Sequence, residues 1–274
     1  MSGDDAFEIV RRAPSPALAG VVSAYSGYRE RCAAPVRQRE AASLVVPLII
    51  SFDEPFRIRL GEDAGAGDAQ PSFVAGLFAG PVSIASNGRS ACLQIDFTPI
   101  GAWRVLGGAA GAIADRMVAV DSLFGAHGSE LVEAIGSARD WPARFAIAES
   151  FVLKRVDEPP RDEVAHAYRR LAATGGRLPI GRLAHEVGWS RKHLAASFSA
   201  VFGHTPKTIA RIFRFECACS LARRGGTGWA DVAAGAGYAD QPHLIRDFSS
   251  LAGETPVAWA ARTAAMDVRL LRDG

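Results

Sequence analysis

Hydrogen-bonding and basic side chains gather in two short stretches of this chain. Arg191, Lys192, His193 and Ser197 form the first, and Gln241, His243 and Arg246 form the second, some fifty residues on. Arg246 lies one turn beyond His243 and close to Gln241, so on a helix all three can lie toward one face. Side chains of these types donate hydrogen bonds to polar edges and phosphates, and none of them is paired with a partner that would make it a nucleophile or a general base.

The residues that catalysis would need do not come together elsewhere. The six histidines are His127, His166, His185, His193, His204 and His243, so the first 160 residues hold one histidine and cannot build a histidine-rich metal centre. Cys32 and Cys92 stand alone, and Cys217 and Cys219 are two apart on a helix, which points them to different faces. Buried apolar packing is the expectation for Cys32 and Cys92, with redox sensing as the alternative. The run Gly107-Gly108-Ala-Ala-Gly111 lacks the glycine spacing of a dinucleotide site, no Walker-type phosphate loop is present, and nothing pairs Arg89, Ser90 or Asp96 into a nucleophile and base. The chain is therefore read as a binding protein without cofactor or metal, not as an enzyme.

The elements that carry the polar stretches occur twice. Ile180 to Phe198 followed by Gly203-His-Thr-Pro206 recurs as Trp229 to Phe248 followed by Gly253-Glu-Thr-Pro256. The offset is 49 residues up to Gly188/Gly237 and 50 from His193/His243 onward, so the copies differ by one residue in a turn. Each copy predicts two short helices across a tight turn. Leu183, Ala184 and Val187 keep helical spacing, a glycine follows where positive φ is cheap, and Leu194 and Phe198 resume the apolar stripe. Small Ala184 and Ala233 let the paired helices approach closely. This is the helix-turn-helix pattern, whose second helix enters a DNA major groove.

Between the copies, Thr205-Pro206 predicts a helix start and Gly225-Gly226 a helix end. A helix over 207–224 is roughly 27 Å long. A rod of that length can hold two recognition helices about one DNA turn apart, roughly 34 Å.

At residues 162–262 the chain resembles the AraC/XylS family of bacterial transcription regulators. The resemblance rests on Ala184 and Gly188, on Arg214-Phe-Glu-Cys-Ala218 with Leu221, and on Ala233, Gly237-Tyr238, Asp240-Gln241, His243, Arg246, Phe248, Gly253 and Thr255-Pro256. It implies that Gln241, His243 and Arg246 read bases, with Arg246 donating two hydrogen bonds to guanine; a phosphate contact or a bridge to Asp247 or Asp240 is the alternative for Arg246. The first unit departs from the pattern, because Ala196 stands where the second has Arg246. Lys192, His193 and Ser197 remain for base edges there, with Arg191 and Lys192 mainly gripping phosphates and the alanines offering thymine-methyl contact. Lys207, in the first turn of the linker helix, and Arg211 are assigned to phosphates. For Arg214 a buried structural ion pair is at least as strong a reading. Sequence preference is expected to concentrate under the second unit.

The amino-terminal part gives short apolar runs bounded by Gly, Pro and Asp, at 21–28, 44–52, 56–60, 72–77, 82–85 and 91–97, with a polar acidic loop over 61–70. From 101 to about 156 the pattern turns helical. The expected fold is multidomain α+β. Residues 1–156 make an antiparallel β barrel or jelly-roll-like sensor and dimerisation domain, with strands at about 8–100 and helices at about 101–156. Residues 157–161 are a proline-bearing linker. Residues 162–264 make an all-α DNA-binding domain with units at 180–201 and 229–251, and a tail runs over 265–274. Phe73, Phe78, Phe97 and Trp103 are candidates to line a cavity in the first domain.

Charge divides the same way. Residues 161–274 carry 16 Lys plus Arg against 10 Asp plus Glu, whereas residues 1–160 carry 15 against 19, so the basic surplus sits with the repeated units. No apolar run nears the roughly 20 residues that span a bilayer. Four scattered cysteines without a signal peptide fit a cytoplasmic location. The reading is a sequence-specific DNA-binding transcription regulator modulated by a small effector or by homodimerisation, with double-stranded DNA and, by resemblance, RNA polymerase as partners. The alternatives are a non-specific architectural DNA binder and, further off, a DNA-binding module fused to an unrecognised enzyme.

Overall fold

The computed structural model describes residues 6–61 and 68–272. The amino-terminal part contains two antiparallel sheets. Strands β1 (Ala6–Arg12), β2 (Val22–Arg31), β4 (Val46–Ser51), β7 (Ser72–Ala75), β9 (Ala91–Phe97) and β10 (Met117–Ala119) form one, in the order β1-β2-β9-β4-β7-β10. Strands β3 (Val36–Glu40), β5 (Phe56–Leu60), β6 (Asp68–Gln70) and β8 (Val82–Ser86) form the other, in the order β3-β8-β5-β6. The sheets do not close into a barrel. Edge strands β6 and β10 have three residues each, too few to carry a hydrogen-bond ladder around a corner.

Alternation along β9 and β4 assigns the two faces of the larger sheet. Leu93, Ile95 and Phe97 lie in register with Ile50, Leu48 and Val46, and all six are buried. That face is covered by helices α1 (Pro99–Leu106), α4 (Ala126–Ser137) and α5 (Trp141–Leu153), with Trp141, Phe145, Ala148 and Val152 in its core. The opposite face carries Ile49, Phe73 and Cys92, which pack with Phe56 and Ile58 of the smaller sheet. Phe97 and Trp103 belong to the helix side, so of the four candidate cavity residues only Phe73 and Phe78 line the space between the sheets.

Strands β1, β3, β6 and β10 fall outside the apolar runs of the sequence. β3, Val-Arg-Gln-Arg-Glu, has no apolar alternation, and β10 interrupts the stretch read as helical. Short helices α2 (Ala109–Ala112) and α3 (Val120–Phe124) flank β10. Most of the expected 61–70 loop lies outside the described residues, and its end forms β6.

The segment read as a linker is tied down. The Asp157 amide donates to the Arg104 carbonyl (2.9 Å), and Arg104 Nε donates to the Asp157 carbonyl (2.7 Å). Beyond it come α6 (Asp162–Ala173), α7 (Ile180–Glu186), α8 (Arg191–Phe202), α9 (Pro206–Arg223), α10 (Trp229–Ala236), α11 (Gln241–Ala252) and α12 (Pro256–Arg272). The last of these continues into the segment read as a tail. One hydrophobic core runs from the helix side of the larger sheet through all of α6 to α12.

Candidate nucleic-acid interface

The two helix-turn-helix units are the pairs α7/α8 and α10/α11, and they share their local chemistry residue by residue. Each first helix ends at a glycine of positive φ, Gly188 (69°) and Gly237 (82°), where a Cβ would be strained. The next amide, of Trp189 or Tyr238, returns to the carbonyl of Ala184 or Ala233 at 2.9 Å in both units. The second helix is then capped. Ser190 Oγ accepts from the His193 amide at 3.1 Å, and Asp240 Oδ1 accepts from the His243 amide at 2.7 Å.

Both units hang on α9, an 18-residue helix of roughly 27 Å. Thr205 caps it with Pro206 in its first turn, as the sequence indicates. Tyr168 and Phe202 (5.2 Å between rings) and Tyr168 and Phe213 (5.5 Å) join the first unit to it. Phe248 joins the second, 4.9 Å from Phe215, 5.7 Å from Trp229 and 5.6 Å from Trp259.

Helical phase fixes which side chains leave the second recognition helix toward solvent. Leu244, Asp247, Phe248 and Leu251 of α11 are buried, and the opposite side carries Pro242, Arg246 and Ser249, with Gln241 and Ile245 beside them. Arg246 is exposed and makes no hydrogen bond or ion pair with any described residue, so its donors are available. Gln241 and His243 do not share a face, because residues two apart on a helix diverge. The half-buried His243 ring stands edge-on against Tyr238 at 5.1 Å, and the His193 ring stands in the same way against Trp189 at 4.4 Å. These aromatic contacts hold both histidines at the turn of their units.

In α8 the same phase places Lys192 and Ala196 outward, at the positions of Pro242 and Arg246, with the half-buried Ser199 at the position of Ser249. Ser197 occupies the position of buried Asp247 and faces away from Lys192, so it does not join the outward set. Ser249 is an exposed position that the sequence reading missed, whereas Ser199 is half-buried, as Ser197 is. Arg191 is exposed and lies over Gly181, and Lys192 and Lys207 are exposed.

Two arginines assigned or weighed for DNA hold the domain together. Arg211 Nε donates to Asp247 Oδ1 at 2.6 Å, bridging α9 to the buried side of the second recognition helix, so its guanidinium is engaged before any phosphate arrives. Burial, and then the neighbouring Asp247, hold the Tyr238 hydroxyl far above its usual range, so it stays protonated beside that carboxylate. Arg214 Nη1 donates to the Gly176 carbonyl at 2.9 Å, and no ion pair to a described residue accompanies it.

The amino-terminal part grips both units. His204 Nε2, after α8, lies 3.0 Å from the Leu77 carbonyl and 3.4 Å from Asp115 Oδ1. The Ala42 amide donates to the Leu251 carbonyl of α11 (2.8 Å), the Leu44 amide to Glu216 Oε1 of α9 (2.8 Å), and Arg39 Nη1 to the Gly253 carbonyl (2.9 Å). Burial raises the Glu216 pKa against the opposing Leu44 bond. Between the sheets lies a slot of about 80 Å³, lined by Ile49, Ile58, Phe73, Phe78, Ile84 and Met117 among others, with Glu40 at its edge. Desolvation first, then Asp96, raise the Glu40 pKa, while Arg262 opposes them, but Glu40 is exposed to solvent, which limits the rise.

Comparison with known proteins agrees with this architecture. Residues 183–262 match the family model described as a helix-turn-helix domain. The chain is similar in structure to an apo ToxT variant from Vibrio cholerae, with a TM-score of 0.50 and 10% identity over 91% of this chain and 98% of that one. It is also similar to ToxT in another crystal form (TM-score 0.46, 10% identity, 94% and 98% covered) and to the AraC-like transcriptional activator CuxR (TM-score 0.32, 14% identity, 80% and 87% covered). No curated protein sequence matches the chain. Among the described residues no helix is long and apolar enough to cross a membrane.

Proposed function

We infer, from the membership of the C-terminal domain in the AraC/XylS helix-turn-helix family, that this chain is a sequence-specific transcription regulator whose two recognition helices enter adjacent major-groove segments. The observation that carries the reading is the pair of units with matching turns, caps and aromatic anchors on one 18-residue helix. A shared rigid frame fixes the separation of α8 and α11, and therefore the separation of the base pairs they meet.

The division of labour follows from the outward side chains. Arg246 supplies direct readout, with Gln241 and Ile245 at its flank, the latter suited to a thymine methyl. Lys192, Arg191 and Lys207 meet phosphates, the last with the help of the free amides at the start of α9. Arg211 acts through Asp247 by holding α11 at its angle. The amino-terminal domain serves as sensor or pairing domain, and a ligand there acts by favouring one arrangement of the two units over another. The ToxT structures include one with a bound unsaturated fatty acid. The slot of this chain presents the Glu40 carboxylate, which disfavours an acid within it.

Selection of genomic fragments by the purified chain, followed by titration of the recovered site against random duplex at one salt concentration, tests this reading. A recovered site bound at least about a hundredfold tighter than random DNA is expected, within the range of specific binders. Equal affinity for both would identify an architectural DNA binder.

A further inference from the structure

The slot between the sheets is too small for a ligand as it stands, and part of its wall lies outside the strand ladders. An engineered cavity of about 150 Å³ takes benzene, whereas this slot measures about 80 Å³, so a molecule larger than a few heavy atoms must displace something. About half of the lining comes from strands β4, β5, β7 and β8, which are held in antiparallel ladders. Two stretches outside the strands add to it, 41–45 with Ala41, Ala42, Ser43 and Val45, and 76–80 with Gly76, Phe78 and Gly80. Amides of 41–45 bond to the DNA-binding domain, Ala42 to Leu251 of α11 and Leu44 to Glu216 of α9. Segment 41–45 is therefore both a wall of the slot and the latch on the second unit.

The lining also limits what can enter. It is apolar apart from Ser43 and one charged side chain, Glu40, which water reaches. The charged groups whose fields act on Glu40 are Asp96 of β9 and Arg262 of α12, and Arg262 is itself bound to Glu254 at 2.6 Å. An apolar body with a single ammonium group matches this lining, and a carboxylate does not.

We propose that the slot binds a compact apolar amine with its ammonium on Glu40, and that its entry pushes segment 41–45 aside and unlatches α11 and α9 from the amino-terminal domain. The proposal rests on the reading of that domain as a sensor and names its ligand class and its transmission route. By linkage, DNA that favours the latched arrangement weakens amine binding by the same factor as the amine weakens DNA binding.

Benzylamine, benzyl alcohol and benzoate, equal in size and different in charge, are titrated into the full chain and its Glu40→Gln variant, while hydrogen exchange is followed at the Ala42 and Leu44 amides. Benzylamine is expected to bind saturably, at least tenfold tighter than benzoate and at least tenfold weaker on Glu40→Gln, and to speed exchange at both amides. Benzoate or benzyl alcohol binding as tightly, or no effect of Glu40→Gln, overturns the amine assignment. Saturable benzylamine binding with unchanged exchange overturns the latch. If no probe binds, Ala75→Leu, which adds bulk within the slot, separates the two failures. Altered DNA affinity of that variant leaves the slot as a sensor of another ligand class, and unaltered affinity removes the sensor reading with the proposal.

Discussion

Arg246 is the side chain on which direct readout depends. It is exposed and unbonded among the described residues, and its neighbour Asp247 is already bonded to Arg211. Arg246→Ala is expected to weaken binding to the selected site by about 1–3 kcal/mol and to relax preference at one or two base pairs. Equal loss on random duplex would contradict that role. Lys192→Ala and Lys207→Ala should instead weaken binding to every sequence and flatten the dependence of log affinity on log salt by about one unit each, which titrations at several salt concentrations measure. Asp247→Ala leaves the partly exposed Arg211 guanidinium unpaired and is expected to destabilise the chain by about 2 kcal/mol in denaturant unfolding. At this scale the sequence was only partly legible. The availability of Arg246 could be expected from its spacing, but Arg211 and Asp247 are 36 residues apart and only the packing of α11 on α9 shows that they are partners. Ser197 holds the position that the buried Asp247 holds in the second unit, about 140° around the helix from Lys192, so its spacing alone did not show which face it takes.

Among the elements, backbone-to-backbone packing and one half-buried carboxylate, Glu216, join the two parts of the molecule. Gly111 of α2 meets the C-terminal turn of α8 so closely that a Cβ would collide with the Ala200 carbonyl. This explains the last glycine of a run that matched no phosphate or dinucleotide motif. Gly111→Ala is expected to destabilise the chain by about 1–3 kcal/mol, which thermal unfolding measures. Glu216 offers a sharper contrast. Glu216→Ala removes the acceptor of the buried Leu44 amide and should cost about 1–3 kcal/mol, while Glu216→Gln keeps an acceptor, removes a desolvated charge and should be neutral or stabilising near pH 7. Because burial raises the folded Glu216 pKa above its unfolded value, its ionisation opposes folding. The advantage of Gln over Glu should therefore vanish as pH falls below the unfolded pKa, about 4.3, and an advantage that grew on acidification would contradict this account. The repeated turns, caps and Thr-Pro helix starts were legible because each is a local rule carried by two or three adjacent residues. Strands β1, β3 and β10 were not, since edge strands expose both faces along much of their length and lose the alternation that marks a half-buried strand.

For the molecule as a whole, the continuous core and the grips on Leu251, Glu216 and His204 mean that the amino-terminal part bears directly on the relative placement of the two recognition helices. The sequence pointed to two domains and a linker. The structure ties that linker to α1 and joins both halves in one core, a relation that arises from contacts between residues far apart in the chain. The most direct test of the account is therefore one of spacing. The affinity of the full chain for its selected two-segment site is compared with that for the same site carrying about five extra base pairs between the segments, roughly half a turn of DNA. A rigid pair of recognition helices predicts that the insertion reduces affinity to near the level of a single segment. Affinity that is unchanged by the insertion would show that α8 and α11 do not read DNA together, and would contradict the account.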